Sequence, residues 1–359
     1  MASCTAMPRT FDLLADLPLR IDRYELEPRE RAFPVWTRRT TTFRLHGGGE
    51  AGLGEDVTYD DADQLRQLQA GAVLPLAGDW TLARFSSHLD GLDLFHGTTP
   101  AQHAYTDYRR WAVESAALDL ALRQAGKPLH EVLGREPRPL RFGVSLRLGA
   151  PPSVAGVADR LATYGDVRFK LDAEPDWDEE LIAALAGTGA VDVIDFKGAY
   201  KGTPVDVDTD PELYARCAEA FPDAWLEDPD LTLPAADAAL EAHRDRITWD
   251  APIHAVADVE ALGFAPKGLN CKPSRFGPLH RLFDFYDFAA DRGIALYGGG
   301  QSELGVGRGQ IQLLASLFHP DGPNDVAPSG WDWADFPREG LLTSPLDPAP
   351  EPVGFRRAD

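Results

Sequence analysis

The chain has 359 residues, of which 44% are hydrophobic and 26% are charged, so it can bury a sizeable core. Its 35 lysines and arginines stand against 57 aspartates and glutamates. The resulting formal charge of −22 argues against nucleic acid and anionic membranes as partners, because both would be repelled. No apolar run approaches the roughly 20 residues that span a bilayer, and the first residues do not resemble a secretory signal. We therefore expect a soluble cytoplasmic protein with two domains, or one large barrel with an appendage.

Residues 1–137 predict a small α+β unit. Short strands are predicted at 19–25 and 40–45, where Thr, Phe, Ile or Leu alternate with polar residues. A glycine-rich turn follows, and apolar residues at spacings of three and four then predict a helix within 99–124. Strands followed by helices are typical of an α+β arrangement.

After Pro139 strands and helices alternate. Strands are predicted at 140–148, 167–172, 191–196, 224–227, 247–250, 268–272 and 294–297, with a further candidate at 324–327. This rhythm is typical of a parallel sheet with helical crossovers, and seven or eight such units favour a closed barrel. The tail after Pro328 is rich in proline and tryptophan, and we expect it to fold back over the first unit.

Several of these strands end in a charged residue, where catalytic side chains of parallel barrels lie. Asp195, Glu227 and Asp250 follow three successive strands and could converge. Three carboxylates without a neighbouring His or Cys form an all-oxygen site, which suits Mg²⁺ or Mn²⁺. The alternative is that each acid caps the loop or helix that follows it, as strand-end acids often do.

Lysine is scarce, and its placement is informative. Only six of the 35 basic residues are lysines, and five of them lie between positions 170 and 272. A lysine ammonium can be tuned to release its proton, whereas arginine keeps its charge. We therefore interpret Lys170, Lys197 and Lys272, which stand at strand ends, as functional, and Lys201 and Lys267 as chance members of the cluster.

With these motifs the chain resembles the enolase superfamily, and within it the muconate-lactonizing-enzyme subgroup. The resemblance rests on the phrases 52–55, 195–200, 226–229 and 270–277, and it covers nearly the whole chain. It implies an α/β fold, a (β/α)7β modified TIM barrel at 138–328 with an α+β N-terminal capping domain at 1–137, on which the tail 329–359 packs. It also implies that Asp195, Glu227 and Asp250 bind the metal and that Lys272 is an acid/base lysine.

The chain departs from the pattern of this subgroup at three positions. The second strand usually carries Lys-x-Lys, but here Asp172 stands where the second lysine is expected. Lys197 replaces the usual asparagine of the third strand, and Ala251 replaces an acid that often follows the fifth-strand aspartate. We hypothesise that Asp172 and Lys197 pair across adjacent strands, or that Lys197 is a relocated amine. The alternative is that both are charges that balance the metal site.

These departures favour a one-base reaction. Racemases and epimerases need a base on each face of the α-carbon. We therefore expect a lyase that performs β-elimination or dehydration, in which Lys272 removes the proton α to a carboxylate while Lys170, Lys197 or Asp172 assists. The alternatives are a two-base racemase, epimerase or cycloisomerase of the same superfamily, and a binding protein that keeps the metal but has lost turnover.

The resemblance also suggests where a small carboxylate substrate would be selected. Loops at 33–36 and 55–59 of the capping domain and the loop at 298–303 would line its site, with Trp36, Gln301 and Glu303 as substrate-binding candidates. A homo-oligomer is expected by resemblance alone. The substrate itself is not predicted.

Overall fold

The computed structural model describes residues 9–33, 36–203 and 205–358. The first part of the chain contains five strands and five helices within these residues. They are α1 (Asp12–Ala15), β1 (Pro18–Ile21), β2 (Arg23–Ala32), β3 (Thr37–Gly47), β4 (Glu50–Asp56), α2 (Asp61–Ala70), β5 (Gly78–Thr81), α3 (Leu82–Leu89), α4 (Ala104–Gln124) and α5 (Leu129–Leu133).

Antiparallel strands β2, β3 and β4 form one sheet, and the long helix α4 packs against its β4 edge. Glycines make this contact close, because a Cβ built on Gly54 would lie 2.1 Å from the carbonyl oxygen of Ala112 in α4. The predicted strand 19–25 covers the end of β1 and the start of β2, and the predicted strand 40–45 lies inside β3. The elements α1, β4, α2, β5, α3 and α5 were not predicted. The helix α4 lies within the predicted range.

The second part of the chain alternates strands and helices. Its elements are β6 (Gly143–Leu146), α6 (Ala155–Tyr164), β7 (Arg168–Asp172), α7 (Glu179–Gly187), β8 (Val191–Asp195), α8 (Pro211–Ala220), β9 (Trp225–Glu227), α9 (Pro234–Leu240), a 3₁₀ helix (Glu241–Arg246), β10 (Ile247–Thr248), α10 (Val256–Glu260), β11 (Gly268–Cys271), α11 (Pro273–Phe276), α12 (Leu279–Arg292), β12 (Ala295–Gly298) and α13 (Val306–Phe318).

The strands of this part run parallel, as the alternation predicted. Five of them form a sheet in the order β10-β9-β8-β7-β6, and β11 pairs with β12. The candidate strand at 324–327 is present only as isolated bridges, in which Asn324 pairs with Phe142 and Asp325 with Gly299. The expectation of an α/β fold with a parallel sheet is therefore confirmed.

The tail contacts both parts of the chain. The Trp331 ring packs on Phe142 of the second part, and the Phe355 ring packs edge-on against Trp111 of α4. The backbone N–H of Phe355 also donates to the carboxylate of Asp119 in α4 at 2.8 Å. No helix among the described residues has the length and apolar character needed to cross a membrane.

Candidate active site

Strand register brings the predicted acids together. Asp172, the last residue of β7, lies opposite Asp195 of β8, and Asp195 lies opposite Glu227 of β9. Neighbouring residues in register point to the same face of a sheet, so these three carboxylates form a row across three strands. The next strand, β10, places Thr248 opposite Glu227. Asp250 is therefore two residues further along, beyond the end of β10.

Lys170 lies beneath this row and is locked between carboxylates. Its Nζ is 2.9 Å from Oδ2 of Asp195 and contacts Oε1 of Glu227, and its side chain is 1% exposed. Burial lowers the pKa of Lys170, but Asp195 and Glu227 outweigh it and raise the pKa well above the ordinary value. These contacts favour the protonated form of Lys170.

Asp195, Glu227 and Asp228 offer carboxylate oxygens that all lie within 4.8 Å of one another, and all three residues are buried. Burial raises the pKa of Glu227 to about 8, with Asp195 and Asp250 adding to the effect and Lys170 opposing it. Burial also raises the pKa of Asp228 to about 7, reinforced by Asp250. Crowded carboxylates of this kind are stabilised by a bound cation, and an all-oxygen donor set fits Mg²⁺.

Asp250 lies outside this group of three, although the sequence analysis selected it as a metal ligand. Its Oδ1 accepts from Nη1 of Arg275 at 2.8 Å, and its Oδ2 is 2.8 Å from both Nζ of Lys272 and the hydroxyl of Tyr200. Burial raises the pKa of Asp250, but Arg275 and Lys272 outweigh it, so the pKa lies below its usual range. The carboxylate is ionised and held by side-chain donors.

Asp228 is held by the backbone instead. Its two oxygens accept the N–H groups of Asp250 and Ala251, both at 2.8 Å, and its own φ is +49°. A non-glycine residue in this region is strained, and the two hydrogen bonds compensate for the strain. Asp228 therefore fixes the chain at the end of β10 and with it the position of Asp250.

Lys272 follows β11 and approaches the backbone of the next strand closely. A Cβ built on Gly299 would lie 2.5 Å from Cε of Lys272, so a larger residue at 299 would force the lysine side chain to shift. Lys272 has a single carboxylate partner among the described residues, Asp250. Lys170 and Lys197, in contrast, each contact at least two.

Lys197 and Asp172 pair, as the sequence hypothesis proposed. Nζ of Lys197 lies 3.3 Å from Oδ1 of Asp172 and also contacts Oδ2 of Asp195. The other oxygen of Asp172 accepts from Nε of Arg147 at 3.1 Å. Lys197 has φ of +53°, and its side chain is 12% exposed. Burial lowers its pKa, but Asp172 and Asp195 outweigh it and raise the pKa above the ordinary value.

The three substrate-binding candidates differ in their surroundings. Gln301 is 4% exposed and donates from Nε2 to the hydroxyl of Tyr108 at 3.0 Å. Glu303 accepts the N–H of Gln301 at 2.6 Å and pairs with Arg308 at 3.1 Å. Trp36 is 41% exposed and stacks on Phe33, with ring centroids 5.3 Å apart. Residues 34 and 35 of this loop lie outside the described residues. Binding of substrate by the three candidates stays a prediction.

The first part of the chain, called the capping part from here on, is connected to the loop after β12 by two buried charged residues, Arg38 and Glu55. Arg38 of β3 donates to the carbonyl oxygens of Val57, Thr58, Gln301 and Ser302. Glu55 of β4 accepts the N–H groups of Leu304, Gly305 and Gly307 at the start of α13. Carboxylates are favourable at helix N-termini because free N–H groups lie there. The loop at 298–303 is therefore held by the capping part.

Sequence reasoning did not identify several residues at this site. Arg275 and Tyr200 hold Asp250, and both lie inside motifs that were quoted for the resemblance. The Tyr297 hydroxyl donates to Oε2 of Glu227. Asp325 lies 3.9 Å from Lys170, and its position in the eighth candidate strand was the available signal. The contact of Arg147 with Asp172 had no signal in the sequence.

Comparison with known proteins identifies the family. Residues 136–333 match the model described as "Domain of unknown function (DUF8230) C-terminal domain", and residues 12–132 match its N-terminal domain. An N-succinylamino acid racemase of Thermus thermophilus is 30% identical over 95% of this chain and 92% of its own length. An o-succinylbenzoate synthase of Geobacillus stearothermophilus is 28% identical over 62% of this chain and 59% of its own length. The chain belongs to the enolase superfamily.

Solved structures agree with this assignment to the enolase superfamily. A superfamily member from Listeria innocua superposes with a TM-score of 0.64 at 18% identity, covering 94% of this chain and 92% of the other. This likeness supports a TIM-barrel-like α/β fold with a capping domain. The resemblance to the muconate-lactonizing-enzyme subgroup is confirmed, and the chain is an enzyme of the superfamily.

Proposed function

We propose that this protein is a Mg²⁺-dependent lyase that removes the proton α to a substrate carboxylate and eliminates a β-hydroxyl group as water. The observation that carries the proposal is the unequal state of the three lysines. Lys170 and Lys197 are each bound by two carboxylates, whereas Lys272 has one such partner. We assign proton transfer to Lys272 on this difference, and elimination needs only one amine.

The metal would be held by Asp195 and Glu227, with Asp250 as the third carboxylate. Asp228 is the alternative, because it is the residue that shares the group of three within 4.8 Å. Both oxygens of Asp228 are committed to backbone N–H groups. The partners of Asp250 are side chains, the cations of Lys272 and Arg275 and the hydroxyl of Tyr200, which a divalent ion can displace. Mn²⁺ fits the same oxygen donors.

Bound Mg²⁺ would supply positive charge at the oxygens of the substrate carboxylate, where negative charge accumulates as the α-proton leaves. Lys272 as a neutral amine accepts that proton at Nζ. The electron pair of the C–H bond forms the new C=C bond, and the β C–O bond breaks. The ammonium of Lys272 returns the proton to the leaving oxygen, so that water departs and the amine is regenerated.

The parallel strands are proposed to close into a (β/α)7β barrel that positions these groups at one mouth. The bridges from Asn324 to Phe142 and from Asp325 to Gly299 support this closure, since they connect the first and last strands of the second part. Residues 1–137 would be the capping domain.

The experiment that tests the proposal is α-hydrogen exchange and product formation with Mg²⁺. We expect formation of o-succinylbenzoate from the β-hydroxy carboxylate that yields it by loss of water, because a relative bears that activity in its name. Lys272→Ala should lower the rate by about 10²–10⁴-fold. Lys267→Ala, which removes an exposed lysine, is the matched control. If the wild type catalyses neither hydrogen exchange in D₂O nor product formation, the proposal is wrong and the chain binds its ligand without turnover.

Racemisation of N-succinylamino acids is the second candidate function, favoured by the 30% identity to a racemase over 95% of the chain. It requires a base on the face opposite Lys272. Optical rotation measured with single enantiomers of these substrates separates the two functions. Racemisation at a rate equal to dehydration would contradict the one-base assignment.

A further inference from the structure

We propose that Lys197 is an internal cation that occupies the metal ligand Asp195 when the metal is absent and transfers to Asp172 when the metal binds. The inference rests on the proposed metal site and goes beyond it, because it assigns a role to the two residues at which this chain departs from its subgroup. Lys197 thus competes with the metal for Asp195, and Asp172 is the carboxylate to which the lysine ammonium moves; we call Asp172 the dock.

The first observation is that two ammonium groups share one carboxylate. Oδ2 of Asp195 is 2.9 Å from Nζ of Lys170 and also in contact with Nζ of Lys197. Lys170 has a second close partner in Glu227 and is 1% exposed, so it is the more tightly enclosed of the two ammonium groups. A divalent ion that binds Asp195 would meet strong repulsion from both ammonium groups unless one of them moved away.

The second observation is that Asp172 offers the Lys197 ammonium an acceptor oxygen. Oδ1 of Asp172 is buried and accepts no hydrogen bond, although Nζ of Lys197 is only 3.3 Å away. A buried carboxylate oxygen that has an ion-pair partner nearby but accepts no hydrogen bond is incompletely satisfied. Oδ2 of the same carboxylate is fixed by Arg147 at 3.1 Å, so the free oxygen keeps its position. A short rotation of the lysine side chain completes the missing hydrogen bond.

The third observation is that the backbone holds Lys197 at the junction of these two carboxylates. Its φ is +53°, a conformation that L-residues rarely adopt. Its N–H donates to Oδ1 of Asp195 at 3.0 Å, which anchors the start of the side chain beside both acids. The ammonium therefore exchanges between two near acceptors without leaving the site.

A double-mutant cycle on metal affinity tests this proposal, using Mg²⁺ in calorimetry and Mn²⁺ in electron paramagnetic resonance with no substrate. Lys197→Gln removes the competitor and should tighten binding about tenfold. Asp172→Asn removes the dock and should weaken binding about tenfold. In the background of Lys197→Gln, the effect of Asp172→Asn should shrink to less than about threefold, because no ammonium needs a dock.

Lys201→Gln is the matched control, since it removes a lysine of the same loop that pairs with Asp206 and Asp230 instead of Asp195. It should leave the metal affinity unchanged. If Lys197→Gln does not fold, Lys197→Met is used in its place, because methionine keeps a long side chain without the ammonium group. Thermal unfolding of each variant confirms that it is folded.

Equal effects of Asp172→Asn in both backgrounds, or weaker metal binding by Lys197→Gln, would overturn the inference while leaving the proposed function intact. A wild-type protein that binds neither Mg²⁺ nor Mn²⁺ would overturn both. The two failures are therefore distinguishable.

Discussion

Replacing Arg38 with methionine should remove the hydrogen bonds that connect the capping part to the loop that follows β12, and so destabilise the protein. The guanidinium is completely buried. It donates to Thr58 and Val57 at 2.9 and 2.7 Å, and to Gln301 and Ser302 at 2.8 and 3.2 Å. It thus joins two carbonyl oxygens of the capping part to two of the loop. Methionine keeps the apolar stem but leaves all four acceptors without this donor.

The expected cost follows from these contacts. Each hydrogen bond from a charged donor contributes about 1.5–3 kcal/mol, so four would sum to about 6 kcal/mol at the low end. Water and loop relaxation recover part of this, and we expect Arg38→Met to lower the free energy of unfolding by about 3–5 kcal/mol. The Michaelis constant should rise as well, because Gln301 and Ser302 lie in the loop proposed to line the substrate site.

Urea unfolding measures the change, and the adjacent residue provides the control. Arg39 is on the opposite face of β3, with a 28% exposed side chain paired to Glu30 and Asp61. Arg39→Met should cost less than about 1 kcal/mol, as surface ion pairs do. Equal losses in the two variants would refute the assignment of Arg38 as the buried link. An unchanged Michaelis constant would refute its connection to the substrate loop.

Three further predictions concern acid, salt and metal. Burial lowers the pKa of His319 to about 4 from 6.5, so the unfolded chain binds the proton first as the pH falls. The contribution of His319 to stability should therefore be complete above pH 6.5 and decrease by up to about 3 kcal/mol between pH 6.5 and 4; the difference between the urea-unfolding profiles of the wild type and His319→Gln should show this decrease. Raising KCl from 0.1 to 1 M shortens the screening length from about 10 to 3 Å, so the charge of −22 should make the melting temperature rise with salt; a flat or falling curve would contradict this. Asp250→Asn should raise the Mg²⁺ dissociation constant at least about tenfold, whereas Asp228→Asn should mainly reduce stability; the reverse pattern in calorimetry and urea unfolding would make Asp228 the third ligand.

Much of the site could be predicted from the sequence because strand ends are locally encoded. Alternation of apolar runs with helical patterns placed Asp195 and Glu227 at the ends of β8 and β9. The exchange of charge between Asp172 and Lys197 was visible as two linked departures, and the structure shows the ion pair at 3.3 Å. The scarcity of lysine directed attention to Lys272.

Other features could not be predicted, since they depend on register and on distant segments. The partners of Asp250 were not apparent, because the pairing of Thr248 with Glu227 moves Asp250 beyond the row of acids. The engagement of Gln301 by Tyr108 joins residues 193 positions apart. No local pattern reports such contacts.

The amino-acid sequence by itself determined the alternation of strands and helices after Pro139, the parallel α/β organisation, the family and the identity of the strand-end acids and lysines, because periodicity and motif spacing are properties of short segments. Only the tertiary structure decided which charges touch. Strand register and loop conformation set distances of a few ångströms between remote residues, and Coulomb energy at buried positions depends on those distances. The different roles proposed for Lys170 and Lys272 rest on that arrangement, in which Lys170 contacts Asp195 and Glu227 whereas Lys272 contacts Asp250.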